Sequence, residues 1–195
     1  MTETTIALLI FLMPLAYSPG PGNMIFAAMG ARAGLAATWP ASAGYHLATW
    51  AVTLAIGLGF SAALTALPGI ARAMQLIGAA YVLWLAAGLW RAGAIRAGTE
   101  TTPLMGFGGG AVLLLFNPKA YVIMALMFTQ FAEAPGLGVI GVATVFTLNN
   151  MLAFVLWAAL GAQLARLWSS PAQARWMGRG LAAMLGAVAV WMAAI

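Results

Sequence analysis

The chain has 195 residues, 64% hydrophobic and only 6% charged, with a formal net charge of +5. Soluble domains average roughly 45–50% apolar and about 25% charged residues, so the composition excludes an ordinary soluble domain and makes the lipid bilayer the solvent. The absence of cysteine excludes a disulfide framework and thiolate metal sites, and the scattered basic residues form no patch for nucleic acid.

A hydrocarbon core needs about 20 apolar residues per crossing helix. Met1 to Thr5 lacks the positive region of a signal peptide, and the apolar stretch that follows outruns the usual signal length, so it reads as a retained first span near Thr5–Met29. Further spans are expected near Pro40–Ala66, Ile70–Arg91, Gly106–Phe131 and Gly136–Ala165, with a short sixth near Gly178–Ile195. The expected fold class is therefore an all-α membrane protein of six transmembrane helices. The longest loop, with its polar tract Thr99-Glu100-Thr101-Thr102, divides one transporter domain into three-helix repeats at 1–93 and 104–195, joined by a linker at 94–103.

Basic residues set the orientation. With the N-terminus outside, the cytoplasmic loops carry Arg32, Arg91, Arg96, Arg166, Arg175 and Arg179, and the external loops only Arg72. Both termini are then outside, and the two repeats run in opposite directions across the membrane.

The first and fourth spans carry proline motifs, Ser18-Pro19-Gly20-Pro21-Gly22-Asn23 and Asn117-Pro118-Lys119, about half a chain apart. Proline removes a backbone donor and breaks the hydrogen-bond ladder, and paired broken helices in matching positions of two halves point to a transport site. After Pro21 a half-helix restarts with the amides of Gly22, Asn23 and Met24. In the second motif Asn117 suits an N-cap and Pro118 the first helical position. Such starts favour a carboxylate, and Lys119 adds a full positive charge. No acid is expected at its depth, so its partners are freed backbone carbonyls or a substrate carboxylate. The plain alternatives are packing kinks for the prolines and snorkelling for the lysine.

His46, the one histidine, follows Ser42 by one turn and precedes Thr49, Trp50 and Thr53. It is a candidate proton relay, with a hydroxyl-bonded packing role as the alternative. Asn149 and Asn150 of the fifth span must find partners in hydrocarbon, by lining a path or by joining helices. Small residues such as Gly57, Gly59 and Gly108 to Gly110 suit close helix packing, and the tryptophans read mostly as interface belts.

These motifs, in this order, resemble the lysine exporter family (LysE/RhtB). The matching pieces are Ser18-Pro19-Gly20-Pro21 with Asn23, Arg32-Ala33-Gly34, the run from Gly78 to Leu85, Gly110 followed by Asn117-Pro118-Lys119-Ala120, and Gln130-Phe131. The resemblance implies six helices in two inverted repeats and export of amino acids or related small metabolites, coupled to the proton motive force. Carried over by position, Pro19, Pro21, Asn117, Pro118 and Lys119 form the site. The second span departs from the pattern, because Tyr45 follows Gly44 where many members have a small or acidic residue. That change disfavours an acid-based relay and a cationic substrate, and leaves His46 as the substitute.

The expectation is a secondary exporter of a neutral amino acid or derivative in the bacterial plasma membrane. Its substrate site comprises Pro19, Gly20, Pro21, Gly22, Asn23, Asn117, Pro118, Lys119, Asn149 and Asn150. No nucleotide-binding motif is present, so it is not a self-contained ATP-driven pump, and no cofactor is expected. A homodimer is a possible assembly. The rival readings are an oligomeric channel and an intramembrane enzyme using Ser42 and His46, which share a helix face.

Overall fold

Proline and glycine decide where each helix of this chain starts and stops, as a computed structural model covering residues 2–60, 68–92, 105–131, 136–167 and 170–194 makes explicit. The first helix, α1 (Thr2–Tyr17), stops at Ser18 because residues preceding proline are pushed away from helical geometry. Helix α2 (Pro21–Ala33) restarts with Pro21 at its first position. It ends at Gly34, whose φ of 80° lets its amide return to the Gly30 carbonyl at 2.9 Å. A short turn at Ala36–Thr38 leads into α3 (Trp39–Ala55), followed by a wider turn over Ile56–Phe60 that ends the helical geometry at Gly59, φ 102°.

The remaining helices are α4 (Pro68–Ala92), α5 (Phe107–Leu115), α6 (Pro118–Phe131), α7 (Gly138–Leu167) and α8 (Pro171–Ala194). The described residues thus form eight α-helices and no strand. The expected first stretch is two helices meeting at 66°, and the fourth is two meeting at 62°. Helix α7 is long and apolar enough to cross a membrane by itself, and each bent pair passes the same test when taken together. The end of the second stretch, residues 61–66, and the linker at 94–103 lie outside the described residues.

The sixth stretch starts earlier than the apolar pattern suggested. Ser170 Oγ accepts the Gln173 amide at 3.2 Å and Gln173 Oε1 accepts the Ser170 amide at 3.3 Å, a reciprocal cap ahead of Pro171 at the first helical position. Arg175 and Arg179, read as loop charges, therefore sit on the first turns of α8. Arg179 lies 5.6 Å from the centre of the Trp90 ring at the end of α4, while Arg72 near the start of α4 donates to the Ala193 carbonyl at 2.9 Å. These contacts make α4 and α8 an antiparallel pair.

Helix α7 has its polarity turned inside out. Leu148, Leu152, Leu156, Leu160 and Leu164 recur every four residues and are exposed, whereas Ala143, Phe146, Asn150, Ala153, Phe154, Ala158, Gly161 and Ala165 are buried. Leucines outward with small and polar residues inward is the arrangement lipid favours, because helix association there depends on close packing rather than on hiding apolar surface.

Two such packings fix the bundle. A Cβ on Gly30 would strike the Ala158 carbonyl, and one on Gly161 would strike the Ala27 carbonyl, so α2 and α7 touch backbone to backbone. Gly44 against Phe107 and Gly110 against Ala41 do the same for α3 and α5. Backbone atoms cannot rotate aside as a side chain can. Gly30→Ala is therefore expected to destabilise by about 1–3 kcal/mol, the usual penalty of overpacking. Gly88→Ala, on an exposed turn of α4 with no neighbour in reach, should instead be neutral or stabilise by about 0.5–1 kcal/mol. Melting of the purified variants in detergent checks both, and equal effects would refute the backbone contact.

Candidate functional site

Breaking a helix frees carbonyls at the end of its first half, and here side chains reach back to collect them. Asn23 Nδ2 donates to the carbonyls of Ala16 and Ser18, both at 2.9 Å. Ser18 Oγ donates to the Leu15 carbonyl at 3.1 Å, and Trp157 Nε1 of α7 to the Tyr17 carbonyl at 3.1 Å. At the second break Tyr121 donates to the Leu115 carbonyl at 3.1 Å. Asn23, expected beside a substrate, thus has its amide group committed to holding the α1–α2 corner.

Lys119 joins the two breaks. Its Nζ donates to the Ser18 carbonyl at 2.6 Å, with the Pro19 carbonyl at 3.5 Å, across about half the sequence. Of the two partners left open by the sequence, freed carbonyls are the ones found in this structure. The lysine can lie there because position 20 is glycine: a Cβ on Gly20 would fall 2.7 Å from Lys119 Cδ and 3.0 Å from Nζ.

Asn117 occupies the position before α6, but its side chain does not cap that helix. Its Nδ2 donates to the Tyr45 hydroxyl at 2.8 Å, and its buried Oδ1 has no partner. Tyr45 is 2% exposed, and its ring centroid lies 4.6 Å from that of Phe154. Phe154 also packs on Phe26 at 4.7 Å and edge-on to His46 at 5.1 Å. A Cβ on Gly22 would strike the Phe154 ring, so that glycine is required where α2 begins.

His46 is buried behind Tyr45. Its Nδ1 lies 2.8 Å from the Ser42 carbonyl and 3.2 Å from Ser42 Oγ, and its Nε2 lies 3.5 Å from Asn150 Nδ2. The carbonyl contact requires a proton on Nδ1, which leaves Nε2 as the acceptor facing Asn150 in the neutral ring. In that tautomer Ser42 is not activated by the histidine as a nucleophile would be.

The adjacent asparagines of α7 separate, since neighbours on a helix point about 100° apart. Asn150 turns to His46 and the interior. Asn149 accepts from the Tyr17 hydroxyl at 3.3 Å on the α1 side, with its own Nδ2 unpartnered.

One cavity brings these pieces together. It is lined by Gly20, Gly22 and Asn23 from the first break, Asn117, Lys119 and Ala120 from the second, Tyr45 and Thr49 from α3, and Asn150, Phe146 and Phe154 from α7, with Ala16, Leu114 and Ile123. Its free space is about that of one water molecule. Of the residues expected at the site, Gly20, Gly22, Asn23, Asn117, Lys119 and Asn150 line it. Pro19, Pro21 and Pro118 shape the breaks, and Asn149 lies apart. Sequence reasoning noted Tyr45 only as a departure from the family pattern and Thr49 only as a neighbour of His46, and placed neither at the site. It passed over Phe154, whose only signal was its position one turn after Asn150. Trp157, read as a belt residue, is half-buried against the end of α1.

The LysE type translocator family matches the chain over residues 13–194. An uncharacterized membrane protein of Pseudomonas aeruginosa is 29% identical over 161 residues, covering 75% of this chain and 74% of its own. A second, from Vibrio cholerae, is 35% identical over 134 residues, covering 64% of this chain and 63% of its own. No solved structure matches. With nearly its whole length matched, this membrane protein belongs to the LysE type translocator family.

Proposed function

We propose that the chain is a secondary exporter of amino acids or related small carboxylates across the bacterial plasma membrane, driven by the proton motive force. The observation that carries this reading is the Lys119 ammonium, bonded to the Ser18 carbonyl at the wall of a cavity shared by both helix breaks. An ammonium has three donors, and carbonyl dipoles hold it without cancelling its charge. The amides of Gly22 and Asn23 precede the first bonded turn of α2, which begins with Met24 donating to the Gly20 carbonyl at 2.9 Å. A carboxylate entering this cavity meets a cation and a helix N-terminus together. In this state the cavity is too small for an amino acid, so the loaded form requires the walls to separate.

In the proposed topology α1–α2 and α5–α6 are the broken first and fourth spans of two inverted three-helix repeats, with both termini outside. A tag at either terminus should accordingly react with impermeant reagents on spheroplasts. Protection of the C-terminus would sink this arrangement.

His46 is the proposed proton carrier. It is buried, linked to Ser42 and Asn150, and one residue from the cavity wall at Tyr45. His46→Ala should abolish pH-driven uphill transport in vesicles while leaving substrate exchange nearly intact. Normal pH-driven accumulation by the variant would return His46 to a packing role.

Lys119→Met keeps the apolar stem and removes the charge. Binding should weaken by roughly 1.5–3 kcal/mol, about ten- to 150-fold. An analogue with its carboxylate amidated should bind the parent poorly and lose little more in the variant, the non-additivity expected of groups in contact. Independent, additive losses would mean that Lys119 does not meet the carboxylate.

A further inference from the structure

We propose that Asn117 receives the substrate's amino group, so that the site separates an α-amino acid from the plain carboxylic acid of the same skeleton. The inference rests on the carboxylate reading above and adds a second contact point to it. Asn117 is 4% exposed and lines the cavity beside Lys119, yet its Oδ1 has no hydrogen-bond partner. An orphaned buried acceptor is destabilising until a donor meets it, so its presence on a cavity wall marks where a ligand's N–H or O–H belongs. Turning the amide over would only exchange one unmet end for the other, because the Tyr45 hydroxyl at 2.8 Å can partner one of them; in this structure it takes Nδ2 and leaves Oδ1.

The surroundings favour an ammonium over a hydroxyl. Tyr45, Phe146 and Phe154 contribute three aromatic side chains to the wall, with the Tyr45 and Phe154 centroids 4.6 Å apart. Aromatic faces attract a cation and give a hydroxyl no comparable gain. None of the lining residues is acidic. A neutral acceptor with aromatic rings suits a single ammonium whose charge is balanced by the substrate's own carboxylate. A second cation on the substrate side chain would find no partner. Asn117 and Lys119 therefore divide the head group of one zwitterion, the donor end to the amide and the acid end to the lysine.

Full-length protein purified in detergent tests this through calorimetric binding of L-alanine, L-valine and L-leucine, each beside its 2-hydroxy acid and its acid lacking any α-substituent. In the parent the amino acid should bind roughly tenfold or more tighter than the unsubstituted acid, with the hydroxy acid between, as expected when a buried polar group is left unmet. Asn117→Leu, nearly isosteric and free of the orphaned acceptor, should fold and bring the three within about twofold of each other. Asn117→Asp keeps an acceptor toward the cavity and should widen the preference for the amine. The proposal is overturned if Asn117→Leu retains the discrimination. It is equally overturned if Asn117→Asp weakens all three ligands alike, which would mean the free end of the amide serves the carboxylate. A parent that binds unsubstituted and amino acids equally would overturn it while leaving the carboxylate site intact. Failure of every carboxylate to bind would instead defeat the exporter reading on which it rests.

Discussion

A helix interrupted inside hydrocarbon must find new partners for the carbonyls it frees, since each unmet group there costs several kcal/mol. That requirement organises the centre of this molecule. The end of α1 releases carbonyls at Leu15, Ala16, Tyr17 and Ser18, and each is met by a side chain: Ser18, Asn23, Trp157, and Asn23 with Lys119. The second break repeats the device with Tyr121 returning to Leu115. In both breaks the half-helix beyond the proline supplies a side chain to the half-helix before it, so the corner is tied by local sequence before any other helix arrives.

Trp157 and Lys119 are the exceptions to that local rule, and Lys119 is the one that joins the two breaks. The Lys119 ammonium sits at the C-terminal end of α1, the negative end of that helix dipole, with the positive starts of α2 and α6 nearby. The carbonyls hold the cation without neutralising it, unlike a salt bridge with a fixed acid. On the proposed reading, a ligand carboxylate is drawn to the same group, either by using a remaining donor or by displacing a carbonyl. Gly20 keeps this shared position open, because any side chain there would push the lysine away.

The breaks were legible in the sequence because proline and glycine act on their own neighbours. The all-helical character followed from the same local chemistry. What escaped was long-range or masked. Tyr45 looked like a departure from a family pattern, and nothing local announces that its hydroxyl holds Asn117, 72 residues away. Asn23 was readable as part of a site but not as the brace of its corner, since amide donors look alike until their acceptors are placed. The start of α8 was hidden by Arg175 and Arg179, whose charges outweighed the shorter signal of Ser170, Pro171 and Gln173. The cavity itself is a product of packing, and periodicity carries no information about it.

Helix α7 explains why the angle between α1 and α2 is held at one value. Trp157 grips the Tyr17 carbonyl at the end of α1, and one turn later Gly161 lies against the Ala27 backbone of α2. Both α1 and α2 are thus anchored to a single helix, on which Asn150 also faces His46 of α3. The α2–α7 seam is backbone against backbone and has no rotamer to give. The Lys119 contact, by contrast, is one flexible side chain on carbonyl oxygens. Enlarging a cavity with room for about one water therefore falls first to the contact between α6 and the end of α1, the contact that Lys119 makes.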